Sequence, residues 1–264
     1  MNDFLEKIIE RKKILLERKK RILPFTELFK MMKDLSSESS FLKCLSGYSS
    51  IIAEIKIASP SKGIFIFEDK IEEFGKIYQK CGASAISVVT EENYFLGNIE
   101  NLRRLKEKIE IPILRKDFIF EEYQILESRI YGADAILLIL SILQKNQLKK
   151  LLNLTKELKM HALVEVHSRD ELMEALEADA EIIGVNNRNL KNLKVDLRIS
   201  MELIPLIPDQ KIKIVESGIR EEKDLIPYKK LNVNGFLIGE AFLTSANPGE
   251  KLKSFKRILE DDKN

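Results

Sequence analysis

The run Ile51-Ile-Ala-Glu-Ile-Lys56 is apolar enough to be a buried strand, yet it carries a carboxylate and an ammonium two residues apart. Residues i and i+2 of a strand face the same side, so Glu54 and Lys56 project together. Buried charge is costly unless paired and hydrogen-bonded, so the pair is either a structural ion bridge or part of a site. The pattern returns at Ile113-Leu-Arg-Lys-Asp-Phe118, Ala162-Leu-Val-Glu-Val-His167 and Ile182-Ile-Gly-Val-Asn-Asn-Arg188, each with its polar residues towards the C-terminal end. Four such segments point to a barrel with a site at one mouth.

Apolar runs that read as strands cover 51–56, 85–89, 111–116, 135–140, 162–166, 182–186, 212–216 and 235–239. Helical patterns lie between them at Ile71 to Tyr78, Asn101 to Ile109, Gln144 to Leu158 and Arg169 to Leu176. Successive runs start roughly 20 to 35 residues apart, the length of a βα unit with its loops. Gly82-Ala-Ser-Ala-Ile-Ser and Gly132-Ala-Asp-Ala-Ile-Leu share one form, in which glycine ends a helix and a strand follows. Continuous apolar strands alternating with helices predict an α/β chain whose parallel sheet is covered on both sides. A closed (β/α)8 barrel accounts for eight strands better than an open doubly wound sheet does.

A chain of 264 residues fits one such barrel, so 1–264 is expected to be a single domain, with 1–45 as an N-terminal helical extension. Residues 1–23 read as an amphipathic helix with Phe4, Leu5, Ile8, Ile9, Leu15, Leu16 and Ile22 near one face. The cluster Arg18-Lys-Lys-Arg21 has no interleaved aromatics and reads as a solvated face. A second helix is predicted over Thr26 to Lys33, then a loop at Ser36-Ser-Glu-Ser-Ser40.

Lys and Arg total 44 against 42 Asp and Glu, a balance that gives no argument for nucleic acid or an anionic membrane as partner. Cys44 and Cys81 are the only cysteines and have no CxxC spacing, which suits a reducing, cytoplasmic setting. The longest apolar stretch, Ala135 to Leu143, already contains Ser141 and is far short of the roughly 20 residues of a spanning helix. Asp3, Glu6 and Glu10 interrupt the basic N-terminus, and no signal-peptide pattern follows.

In barrels of this kind the C-terminal strand ends build the site. Sorted in that way, the polar candidates are Glu54, Lys56, Ser59, Lys116, Glu165, Asn186, Arg188, Glu216, Ser217 and Gly239. Lysines and glutamates converging in a poorly solvated cleft shift one another's pKa and can serve as general acid and base. Lys116 lies in Arg115-Lys116-Asp117, which also reads as a solvated strand end. Glu165 sits among apolar neighbours with no evident local partner. His161 and His167 are the only histidines, too thin a ligand set for a metal site, so none is expected. Val215-Glu-Ser-Gly-Ile219 and Leu237-Ile-Gly-Glu-Ala241 place glycines after the last two strands, where backbone N–H groups can meet a phosphate. Neither GxxxxGK[ST] nor GxGxxG after a strand is present, so no nucleotide cofactor is suggested.

The ordered set Glu54-Ile-Lys56, Ser59-Pro-Ser-Lys-Gly63, Thr90-Glu-Glu-Asn-Tyr-Phe-Leu-Gly97, Leu114-Arg-Lys-Asp-Phe118, Leu163-Val-Glu-Val-His167, Gly184-Val-Asn-Asn-Arg-Asn-Leu190, Glu216-Ser-Gly218 and Ile238-Gly-Glu-Ala241 resembles indole-3-glycerol phosphate synthase. The motifs keep the family's order from about residue 50 to 245. The resemblance implies a TIM barrel with an N-terminal extension, working without cofactor. It implies ring closure of 1-(2-carboxyphenylamino)-1-deoxyribulose 5-phosphate to indole-3-glycerol phosphate in tryptophan biosynthesis, releasing carbon dioxide and water.

By that similarity Lys116 polarises the ribulose carbonyl, Glu165 is the catalytic glutamate, and Lys56 with Glu54 shares the later proton transfers. Arg188 suits the anthranilate carboxylate, with Asn186 on a sugar hydroxyl or the same carboxylate. Ser59, Pro60, Glu216, Ser217, Gly218, Gly239 and Glu240 are carried over as substrate-binding, most of them around the phosphate. Phe95, Phe118, Leu137, Leu190 and Leu237 would wall the aromatic ring. A monomer acting on a small sugar phosphate is expected. A sugar-phosphate isomerase on the same barrel would share the phosphate loops without needing Arg188 beside an apolar wall. A non-catalytic sensor would have no use for three proton-transfer groups.

Overall fold

The structure is a computed structural model that describes residues 3–32, 39–144, 146–190 and 192–261. Eight parallel strands close into a barrel: β1 (Ser50–Ile55), β2 (Ala85–Val89), β3 (Ile113–Lys116), β4 (Ala135–Ile139), β5 (His161–Val166), β6 (Ile182–Asn186), β7 (Ile212–Glu216) and β8 (Gly235–Ile238). Closure comes from β1, which pairs with β2 on one side and β8 on the other. The observed strands differ from the expected ones by no more than two residues at either end.

Period-two alternation sorts these strands into two cores. Ile51, Ala53 and Ile55 face outward into the layer shared with the helices, as do Ile113, Leu138, Val164 and Ile183. Ile52, Leu114, Leu163 and Ile214 face inward and fill the barrel axis. Two residues further along these same odd-numbered strands, the inward positions become Glu54, Lys116, Glu165 and Glu216. In this fold alternate strands supply the four side chains of one interior layer. An apolar floor therefore carries a charged layer directly above it.

Outside the barrel lie α4 (Ile71–Lys80), α5 (Glu100–Lys106), α6 (Glu122–Ile130), α7 (Gln147–Glu157), α8 (Arg169–Glu177), α9 (Arg198–Leu203), α10 (Glu240–Leu243) and α11 (Pro248–Glu260). Their starts follow local chemistry. Ser168 caps α8 by accepting from Glu171 N at 3.2 Å, and Glu121 with Gln124 forms a reciprocal capping box on α6.

The N-terminal segment forms α1 (Asp3–Ile22) and α2 (Phe25–Met31), followed by α3 (Phe41–Cys44). Ile8 and Leu16 are buried as the periodicity predicts. Ile22 is not: it is 84% exposed, because the chain turns towards Pro24 there and Leu23 takes the packing position. Lys33 and the stretch from Ser36 to Glu38, expected as helix end and loop, lie outside the described residues.

Two further expectations are corrected. The run at 18–21 is solvated only at Arg18 and Arg21, since Lys19 bonds Glu127 at 2.9 Å and Lys20 pairs with Glu121 of the barrel. Arg115 and Asp117 do not mark a solvated strand end: both are buried. Arg115 contacts Asp117 (2.9 Å), Glu127 (3.0 Å) and Thr90 (3.1 Å), while Lys12 of α1 reaches Asp117 at 2.7 Å and Glu92 at 2.6 Å. This network fastens α1 onto the loops after β2 and β3.

Candidate active site

The charged layer lies at the C-terminal mouth of the barrel. Lys116 Nζ sits 3.2 Å from Glu165 Oε2 and 3.1 Å from Glu216 Oε2, so one ammonium bridges two carboxyls from β5 and β7. Lys56 Nζ is 2.6 Å from Glu54 Oε1. All three glutamates are buried.

Electrostatics separates these groups. Burial works against the ammonium of Lys116, but Glu216 and Glu165 overcome it and push its pKa well above the ordinary lysine value. Burial also works against the carboxylate of Glu165, yet Lys116 and His167 hold it well below the usual range. Glu54 is likewise held down, by Lys56 and Lys116 against the effect of burial. Glu216 goes the other way: burial, opposed by Lys116 and reinforced by the Glu165 charge, raises it to about 8. Its Oε1 is buried with no hydrogen-bond partner among the described residues, a situation that favours the neutral acid. Two carboxyls on one ammonium with pKa values driven apart are the arrangement expected of an acid–base site.

The loop after β7 turns through two consecutive left-handed residues, Ser217 (φ 63°) and Gly218 (φ 92°). A Cβ at 218 would stand 2.6 Å from Leu197 and 2.8 Å from Val195, so glycine is required there. Gly239, after β8, presses against Glu54: a Cβ would lie 2.5 Å from its Oε1. These residues line one cleft together with Lys56, Lys116 and Arg188.

Asn186 Oδ1 accepts from Arg188 N at 2.9 Å, fixing the start of the loop after β6. The Arg188 guanidinium donates to Leu193 O at 3.1 Å and lies 3.9 Å from Glu240. Lys62 and Arg220 approach Glu240 at 3.7 and 3.8 Å, so three cations surround one exposed-edge carboxylate beside the glycine loops. Lys62 and Arg220 were missed from sequence, since nothing local ties them to Glu240.

Phe118, Leu137 and Leu237 are buried in the inner apolar cluster, and Phe95 and Leu190 pack against it. Ile8 of α1 belongs to the same cluster, and Phe4 packs edge-on against Tyr94 of the loop after β2 at 5.0 Å, so the N-terminal helix lies over that side of the mouth. Glu91 holds the Phe95 loop by accepting from Tyr94 N (2.7 Å) and Phe95 N (3.0 Å). Ser59 and Pro60 stand apart from the cleft, on a short hairpin (Ala58–Ser59 with Gly63–Ile64) where Ser59 is half-buried and Pro60 exposed.

Glu165 does have a local partner. His167 Nε2 is 3.2 Å from Glu165 Oε1. Their spacing of two along the strand puts both side chains on one face, which is the signal for this contact in the sequence.

A family model described as indole-3-glycerol phosphate synthase matches residues 5–255. The chain is 44% identical over 255 residues to the indole-3-glycerol phosphate synthase of Endomicrobium trichonymphae, covering 96% of this chain and 99% of that one. It is 41% identical over 259 residues to the protein of the same name from Carboxydothermus hydrogenoformans, covering 95% and 98%. Among solved structures, a tryptophan synthase alpha chain from Legionella pneumophila matches with a TM-score of 0.65 at 10% identity, over 86% of this chain and 100% of that one. That likeness speaks for the barrel alone.

Proposed function

The chain belongs to the indole-3-glycerol phosphate synthase family, and from that premise we propose how its residues carry the reaction. The enzyme is a carboxy-lyase that closes the indole ring of 1-(2-carboxyphenylamino)-1-deoxyribulose 5-phosphate with loss of carbon dioxide and water. Lys116 hydrogen-bonds the ribulose ketone oxygen and makes its carbon electrophilic. The ring carbon that bears the carboxylate attacks, and departure of carbon dioxide returns its electron pair to the ring. Lys116 passes its proton to the ketone oxygen, which is now a hydroxyl. Lys56, held by Glu54, protonates it as it leaves, and Glu165 takes the proton from the neighbouring ring carbon. Glu216 retains a proton near neutrality and so keeps Lys116 from being locked between two carboxylates.

Arg188 and Asn186 hold the carboxylate, with Phe95, Phe118, Leu137, Leu190 and Leu237 around the ring. The phosphate takes Ser217, Gly218, Gly239 and the backbone of Glu240, with Lys62 and Arg220 turning from Glu240 towards it. Ser59 and Pro60 join when the hairpin folds over the ligand. The chain acts as one barrel domain over 1–264, with 1–45 as its extension, as a cytoplasmic monomer that needs no nucleic acid. No helix among the described residues is long and apolar enough to cross a membrane.

The single observation behind this reading is the ammonium of Lys116 within 3.2 Å of two glutamates whose pKa values diverge. Turnover of the carboxyphenylamino sugar phosphate, followed by indole absorbance, tests it. Lys116→Ala is expected to fold and to lose about 10²–10⁴-fold in kcat. Wild-type turnover in that variant would remove Lys116 from the mechanism.

A further inference from the structure

His167 stands at the end of β5, and its contacts form a chain. Its Nε2 lies 3.2 Å from Glu165 Oε1, an ion-pair contact rather than an aligned hydrogen bond. Its Nδ1 lies 3.3 Å from Glu171 Oε2 on α8. The same Glu171 oxygen accepts the backbone N–H of His167 at 2.6 Å, so the ring is anchored where the strand becomes helix. Glu165 is therefore gripped from two sides, with Oε1 towards His167 and Oε2 towards Lys116.

We propose that His167 is a positioning residue for the reaction: clamped by Glu171, it fixes one oxygen of Glu165 and leaves the other free to work. The inference rests on reading Glu165 as the base. A carboxylate has two equivalent oxygens and a freely turning terminal torsion, so a base held only by Lys116 would swing when Lys116 turns to the substrate. The histidine contact persists through that exchange. The two glutamates also keep the ring in its imidazolium form: burial lowers its pKa, but Glu165 and Glu171 raise it to about 10. The charges that bear on Glu165 are then His167 on its own strand, Lys116 from β3, and Glu216 from β7, with Asn186 of β6 as a hydrogen-bond donor. A fixed cation beside Glu165 keeps it ionised after Lys116 has left it.

The test compares His167→Ala, His167→Gln and Glu165→Gln in the purified full chain, with kcat and KM measured from pH 5 to 9. Glu165→Gln checks the premise: if it stays active, the reading of Glu165 as base falls, and the inference with it. With Glu165→Gln inactive, His167→Ala is expected to lose kcat by about 10–100-fold, the scale typical of residues that orient a reacting group, with KM within about twofold. Removing a cation raises the pKa of Glu165, so the acid limb of kcat should move to higher pH. Glutamine can place an amide N–H where Nε2 stood. His167→Gln should therefore recover part of kcat while keeping the displaced acid limb, a split that a purely structural role would not give. An inactive Glu165→Gln alongside His167 variants with wild-type kcat and an unmoved acid limb would overturn the proposal. Should His167→Ala fail to fold, His167→Gln alone decides through its pH profile.

Discussion

Asp117→Asn is the sharpest probe of how α1 is fastened to the barrel. Asp117 receives Lys12 (2.7 Å), Arg115 (2.9 Å), the Thr90 hydroxyl (2.8 Å) and the Phe118 N–H (2.8 Å). An asparagine keeps the shape and an acceptor oxygen but withdraws the charge shared by two buried cations, leaving Lys12 with Glu92 and Arg115 with Glu127. Removing one partner of a buried ion pair costs about 3–5 kcal/mol where the remaining charge is left uncompensated, and because each cation here keeps one carboxylate the cost should lie at the lower end, about 3 kcal/mol. Unfolding entropy for 264 residues comes to about 0.55 kcal/mol/K, so Tm should fall by about 5 °C. Although burial alone would raise the pKa of Asp117, Lys12 and Arg115 hold it well below its unfolded value of 3.8. Its contribution is thus present above pH 3.8 and lost as pH falls through the lower folded value. Urea unfolding of both proteins should show a constant gap from pH 5 to 8 that narrows below about pH 4. A loss under about 1 kcal/mol at pH 7, the scale of a surface pair, would refute the reasoning.

Two further outcomes follow from the charged layer. Glu216→Gln keeps a neutral side chain beside Lys116, so its rate near pH 6 should stay within about tenfold of wild type, while the fall in kcat above about 8 disappears. An unchanged alkaline limb would show that another group sets it. Gly239→Ala puts a methyl 2.5 Å from Glu54 Oε1 and 2.9 Å from its Cβ, forcing Glu54 off Lys56. Misplacing a reacting group by about an ångström costs about 10²-fold, which steady-state kinetics on a variant with wild-type circular dichroism would reveal. Wild-type rates would mean that Glu54 need not stay where it is.

The barrel was legible because its signal is local and repeated. Each strand is a short apolar run, and the inward charges break those runs at a fixed spacing of two residues. What stayed hidden depends on partners far along the chain. Lys12 carries no signal of its own in the sequence, because its partners Glu92 and Asp117 lie 80 and 105 positions away. Arg115 and Asp117 read as strand-end charges, since nothing nearby tells that α1 and α6 will cover them. The contact of His167 with Glu165 was within reach, since residues two apart along a strand share a face, whereas Glu171 meets His167 only because the strand gives way to α8 between them. Lys62, Arg188 and Arg220 come together only when three loops meet around Glu240.

The charge balance of the mouth bears on how an anionic substrate enters. With the His167 imidazolium balanced by Glu171, its remaining inner groups are three carboxyls, Glu54, Glu165 and Glu216, against two ammoniums, Lys56 and Lys116. Were all ionised, the inner site would carry net negative charge in a poorly solvated space and would repel a ligand bearing a phosphate and a carboxylate. A proton on Glu216 brings the inner site to neutrality below about pH 8. On the proposed reading attraction falls to Lys62, Arg188 and Arg220 at the rim, whose shared counter-charge, Glu240, is held no closer than 3.7 Å, so that Lys62 and Arg220 can exchange it for the phosphate and Arg188 for the carboxylate. On that reading the rim gathers the anion while the neutral interior accepts the ketone. Binding and chemistry are thereby assigned to different charges, and a substitution in one set should change KM or kcat without the other.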